Sequence, residues 1–165
     1  MAATTTSIRI TADVVQRLHA TARLAYPEEV CGLLLGKWMP GGILSTTQAV
    51  VVPNAARPAE RTHRYTIPPR LMLEWERIGQ RSGLSIVGFF HSHPDAPPVP
   101  SATDASLAWP GYVYVIVAVS GTSAGASCKP WVSGMAVWTF DEPSANFVEV
   151  PVTVEVAADE IEYFI

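Results

Sequence analysis

The sequence predicts an α/β fold: one mixed β-sheet flanked by two substantial helices. Strand-length apolar runs recur along the chain, at Cys31–Trp38, Leu84–Phe90 and Tyr112–Val119. Two longer segments space their apolar residues at helical rather than alternating intervals. Clusters of glycine, proline and serine separate the two kinds of segment. At 165 residues, with no internal repeat and no long linker, the chain reads as a single domain over 1–165.

The elements follow in order. Ser7 to Ile10 alternates polar and apolar residues, a first strand. Thr11 suits an N-cap for a helix running to about Ala25, with Val14, Leu18, Ala22 and Ala25 on its apolar side and Pro27 closing it. Cys31 to Trp38 is a buried strand, Pro40-Gly41-Gly42 a turn, and Ile43 to Val52 the returning strand. Asn54 to Arg61 is loop-like, and His63 to Ile67 reads as a short strand. Pro68-Pro69 opens a second helix that ends near Ser82-Gly83, with Leu71, Met72, Trp75 and Ile78 on its apolar side. Next come a strand whose apolar run is Leu84 to Phe90, a proline-rich loop, a short helix from Ser101 and the strand Tyr112 to Val119. Ser120 to Ser127 is a loop, and Lys129 to Phe140 and Phe147 to Val156 are two closing strands.

Composition narrows the function. A hydrophobic fraction of 48% against 16% charged belongs to a folded globular chain. A net charge of -4 leaves no basic footprint for nucleic acid. No apolar stretch approaches membrane-spanning length, and the polar start at Met1 to Thr6 does not resemble a signal peptide. Cys31 and Cys128 are too few for a disulfide framework, so reduced thiols in a cytoplasmic protein are expected.

The chemistry concentrates in one segment. His91 and His93 end an apolar strand, and Ser101 and Asp104 follow. Residues i and i+2 of a strand point to one side, so the two imidazoles can converge on one metal ion. Two histidines and a carboxylate on zinc leave a fourth position for water, the catalytic arrangement, and zinc brings the pKa of such a water towards about 7. Hydrolysis also needs a carboxylate near the metal but not bound to it, and Glu28 and Glu29 stand directly before the Cys31 strand. A glutamate at the mouth of a buried strand is partly desolvated, which raises its pKa. Ser101 could donate to an oxyanion. Its spacing to Asp104 equally resembles a capping box, and the two roles are compatible. The prolines from Pro94 to Pro100 stiffen the loop between histidines and serine. His63 reads as a surface or groove residue on a strand edge, His19 as solvent-facing, and Cys31 and Cys128 as small core residues; Asp95 receives no role. The tail 158–165 ends in apolar residues that could pack on the domain or on a neighbour.

The string His91-Ser92-His93, then Ser101 and Asp104, resembles the signature of the JAMM (MPN+) metalloprotease family. Glu29-Val30-Cys31-Gly32 resembles that family's glutamate-bearing strand, in which the glutamate lies three residues before the glycine; this favours Glu29 over Glu28. The resemblance implies an α/β sandwich similar to cytidine deaminases. It also implies Zn2+ on His91, His93 and Asp104, with Glu29 as general acid/base and Ser101 stabilising the oxyanion. Lacking the insertions of eukaryotic deubiquitinases, the chain is most similar to the compact prokaryotic branch. The implied substrate is a ubiquitin-like or sulfur-carrier protein, cut after its C-terminal Gly-Gly, with the tail bound by β-augmentation at a sheet edge. The alternatives are a ubiquitin-like-binding MPN module without intrinsic activity and a RadC-like protein with a similar site.

Overall fold

A computed structural model describes residues 7–121 and 129–156. Eight strands form one sheet in the order β7-β6-β5-β4-β2-β3-β1-β8. They are β1 (Ser7–Thr11), β2 (Cys31–Met39), β3 (Ile43–Val52), β4 (Ser85–Pro94), β5 (Val113–Ser120), β6 (Trp131–Asp141), β7 (Asn146–Glu149) and β8 (Val152–Glu155). Helices α1 (Ala12–Ala25), α2 (Pro69–Arg81) and α3 (Ala102–Leu107) complete the fold, with a 3-10 turn at Pro58–Glu60. The sheet is mixed, as predicted: β4 runs antiparallel to β2 and parallel to β5.

The last predicted strand is broken. Val150 and Pro151 divide it into β7 on one edge of the sheet and β8 on the other. The Val150 N–H still bonds to Val137 in β6, whereas the Pro151 carbonyl accepts from Ile8 in β1. A flat sheet of this width would hold its edges roughly 33 Å apart, and two linking residues span at most about 10 Å. The sheet is therefore curled until its edges nearly meet. Helix α1 packs inside the curl, burying Val14, Leu18 and Ala22 against Ile8, Ile10, Leu34 and Phe90. Thr11 stands at its N-cap but makes no side-chain capping bond.

Strand alternation sends the neighbouring side chains to the other face. Cys31, Leu33, Phe89 and Tyr114 form a second core there, covered by Leu71, Met72 and Trp75 of α2. Ile78, expected on the apolar side of α2, is exposed; the buried residue is Gly79. A Cβ at Gly79 would stand 3.0 Å from the Leu84 carbonyl, a tight contact with the turn leading into β4, and 3.6 Å from Leu35. The expected strand at His63–Ile67 is not formed. Its backbone bonds are a turn bond from His63 N–H to the Glu60 carbonyl and one from Ala55 N–H to the Thr66 carbonyl, and the Asn54 side chain takes the place of a partner strand. His19 is half-buried rather than solvent-facing, because the start of β6 at Trp131 and Val132 covers that side of α1. Burial pushes its pKa down, and Arg23 adds to this. Cys31 is fully buried in the core as expected, while Cys128 and the tail 158–165 lie outside the described residues.

Candidate metal centre

β4 carries both histidines inside the sheet, near its end as predicted. Cys31 of β2 lies opposite His91, and Ala118 of β5 opposite His93. The alternation that puts Phe89 in the second core puts His91 and His93 on the same face. Ser92 points the other way. Its hydroxyl accepts from Val30 N–H at 2.9 Å and its N–H donates to the Val30 carbonyl at 3.0 Å. This pair ties the glutamate-bearing end of β2 to the histidine strand. Strand parity could have shown Ser92 facing away from the metal, but not its bond to Val30.

The donors converge. His91 Nε2 and His93 Nε2 are 2.9 Å apart, with Asp104 Oδ1 3.3 Å from the first and Oδ2 3.7 Å from the second. Two ligand nitrogens on tetrahedral zinc lie about 3.3 Å apart, given Zn–N near 2.05 Å. Small side-chain adjustments reach that spacing. His93 Nδ1 lies 2.9 Å from the Pro97 carbonyl. Donation there keeps the proton on Nδ1 and leaves the Nε2 lone pair for a metal. Burial is the largest influence on His91 and lowers its pKa, favouring the neutral imidazole that binds metal. For His93 burial also disfavours charge, but the hydrogen bonds it donates to Asp104 and the Pro97 carbonyl outweigh it and the pKa rises. Burial opposes ionisation of Asp104 too, yet bonds from His91, His93 and Ser101 hold it well below the usual carboxylate range. Among the described residues these three form the one cluster of potential metal ligands. The residues fit a zinc ion of the type with an open position.

Asp104 is fixed by the first turn of α3. Ser101 Oγ accepts from Asp104 N–H, and Asp104 Oδ2 accepts from Ser101 N–H at 2.7 Å, a complete capping box. The Ser101 hydroxyl donates to the same Oδ2 at 2.6 Å. To serve an oxyanion it must rotate that hydrogen towards substrate. Glu29 is buried, and burial raises its carboxyl to about 7, with His93 pulling down and Asp104 pushing up. Glu28 is exposed and faces Arg61. Glu29, Ser101 and Asp104 share one small cavity of about 20 Å³, also lined by His63, Tyr65 and Leu107. His63 is exposed there, a groove residue as expected, though on a turn. Asp95 is a structural tie: it accepts from the Tyr26 hydroxyl at 2.7 Å and from Gly121 N–H at 2.9 Å.

A family model for prokaryotic homologues of the JAB domain matches residues 11–133. The chain belongs to this family. It is 38% identical over 130 residues to a desampylase of Haloferax volcanii, covering 78% of this chain and 80% of that one. Two solved structures share the architecture. Protein DSY2949 of Desulfitobacterium hafniense superposes with a TM-score of 0.72 at 25% identity, covering 93% of this chain and 96% of its own. A protein from Salinibacter ruber does so with 0.66 at 30% identity, covering 89% and 91%. The curled mixed sheet flanked by helices is thus the JAB/MPN fold, which the resemblance implied.

β4 is paired on both sides through the histidines, and the sheet edges are β7 and β8. The cavity at the site is lined by the segment around His63–Tyr65 and by residues of α3. No helix among the described residues is long and apolar enough to cross a membrane.

Proposed function

We propose that this JAB-family chain, as a single-domain cytoplasmic enzyme, is a zinc-dependent hydrolase. It cuts the peptide or isopeptide bond after the C-terminal Gly-Gly of a ubiquitin-like, sulfur-carrier-type protein. The observation that carries this is the convergence of His91, His93 and Asp104 beside a buried Glu29 whose pKa is raised to about 7. The desampylase relative, named for removing a conjugated modifier, supports the substrate class.

His91, His93 and Asp104 would hold the zinc, which supplies Lewis acidity and lowers the pKa of water towards about 7. The chain's own groups do the rest. Glu29 near neutral pKa accepts a proton from the attacking water and returns it to the leaving amine, a task that wants a pKa close to the working pH. Ser101 turns its hydroxyl from Asp104 to the developing oxyanion. Glycines, lacking side chains, suit the narrow groove between Tyr65 and Leu107.

The test is metal content by mass spectrometry, paired with incubation with a ubiquitin-like protein extended beyond its Gly-Gly. About one zinc per chain, abolished by joint His91→Ala and His93→Ala substitution, with chelator-sensitive release of the extension, is the expected result. Folded wild-type protein that takes up no zinc, or zinc-loaded protein that releases nothing, refutes it.

A further inference from the structure

The two histidines are oriented by different means. His93 leans on the Pro97 carbonyl through Nδ1. Among the described residues, nothing hydrogen-bonds the buried Nδ1 of His91. The His91 ring instead lies against Tyr65, with centroids 4.4 Å apart and planes at 25°. The terminal torsion of a histidine is broad, so a ring without a hydrogen bond takes its orientation from packing. We propose that Tyr65 is a positioning residue that orients His91 for metal binding and is itself held in place by Asn54. The inference rests on the metal-centre reading above.

Asn54 grips the chain on both sides of Tyr65. Its Nδ2 donates to the Arg64 carbonyl at 3.0 Å, and its Oδ1 accepts from Thr66 N–H at 3.1 Å. The same Nδ2 donates to the Glu29 carbonyl at 3.0 Å, and the same Oδ1 accepts from Ala56 N–H at 3.0 Å. Both donors and both acceptor positions of the amide are used. A second tie runs from Glu29 N–H to the Arg61 carbonyl at 2.7 Å. The loop bearing Tyr65 is therefore registered against the backbone of Glu29. Behind Tyr65 the second core, with Cys31 and Tyr114, resists its retreat from His91. Tyr65 lines both the cavity at the metal centre and an aromatic pocket of about 330 Å³ that Phe89, Trp109 and Tyr114 also line. A flat ring stacked on imidazole fixes the plane in which Nε2 points, and loss of such outer partners typically weakens metal binding about 10–100-fold.

The test uses the full chain and three variants. Zinc affinity is read by chelator competition, ligand geometry by the visible absorption of the Co2+-loaded protein, and folding by urea denaturation in chelator. Tyr65→Phe keeps the stacked ring and is expected within about twofold of wild type. Tyr65→Leu removes the ring and is expected to bind zinc about 10–100-fold more weakly, with altered cobalt bands. Asn54→Asp presents an acceptor to the Glu29 and Arg64 carbonyls and is expected to shift both readouts in the same direction. It decides the matter if Tyr65→Leu does not fold. Wild-type affinity and spectrum in folded Tyr65→Leu, or in Asn54→Asp should the leucine variant not fold, overturns the proposal. So does a Phe variant as impaired as Leu. Wild type that binds no zinc sinks the metal-centre reading itself, and this inference with it.

Discussion

Replacing Glu29 with glutamine should stabilise the metal-free protein above neutral pH while sharply slowing hydrolysis. Glu29 is 7% exposed, and burial raises its carboxyl from 4.5 to about 7. The folded state then holds a proton that the unfolded chain releases. Its contribution to stability is full below about pH 4.5, falls as pH rises to about 7, and is flat above. Raising a carboxyl from 4.5 to about 7, at about 1.36 kcal/mol per pH unit, sets a ceiling near 3 kcal/mol; relaxation around the site lowers this to about 2. Glutamine mimics the protonated acid and removes the dependence. In chelator, Glu29→Gln should exceed wild type by about 2 kcal/mol at pH 8 and match it near pH 4.5. Urea denaturation of both proteins at the two pH values measures the gap. A variant no more stable than wild type at pH 8, or a gap that persists at pH 4.5, refutes the claim that Glu29 is held proton-bound by burial. Hydrolysis by the same variant should fall by about 10² to 10⁴.

Three further outcomes follow from the geometry. Ser101→Ala removes the α3 cap and the hydroxyl on Asp104; it should cost about 1 kcal/mol in urea denaturation and about 10² to 10³ in kcat. Cys31 is buried with its thiol pushed up to about 12 by burial and then by Glu29. Its peptide should stay unlabelled by iodoacetamide in native protein at pH 8 and label only in denaturant, as read by mass spectrometry. At Gly32 a Cβ would run into the Val50 carbonyl and the Phe90 ring. Gly32→Ala should destabilise by about 1–3 kcal/mol in urea denaturation.

What the sequence alone determined was local. Apolar periodicity located β2, β3, β5, α1 and α2 closely, because burial on one face is written directly into residue spacing. The pairing of His91 with His93 was legible from strand parity, and the rigidity of Asp104 from the capping-box spacing. The choice of Glu29 over Glu28 came from the family resemblance, since adjacent glutamates look alike until the fold buries one of them. Other features depended on contacts between distant segments, which leave no periodicity to read. Ile78 lost its predicted place in the core because Gly79 is the residue of α2 buried against Leu84 and Leu35. The 63–67 segment has strand-like composition but no strand beside it, only Asn54, whose amide supplies bonds from a loop position. The closing strand splits because Pro151 has no N–H to continue a ladder and the curled sheet offers two edges within reach. Tyr65 meets His91, and Ser92 meets Val30, only once β2, β4 and that loop are brought together. The ligand set was a property of the sequence; the orientation of His91 is a property of the fold, because it depends on Tyr65, more than twenty residues away in the chain.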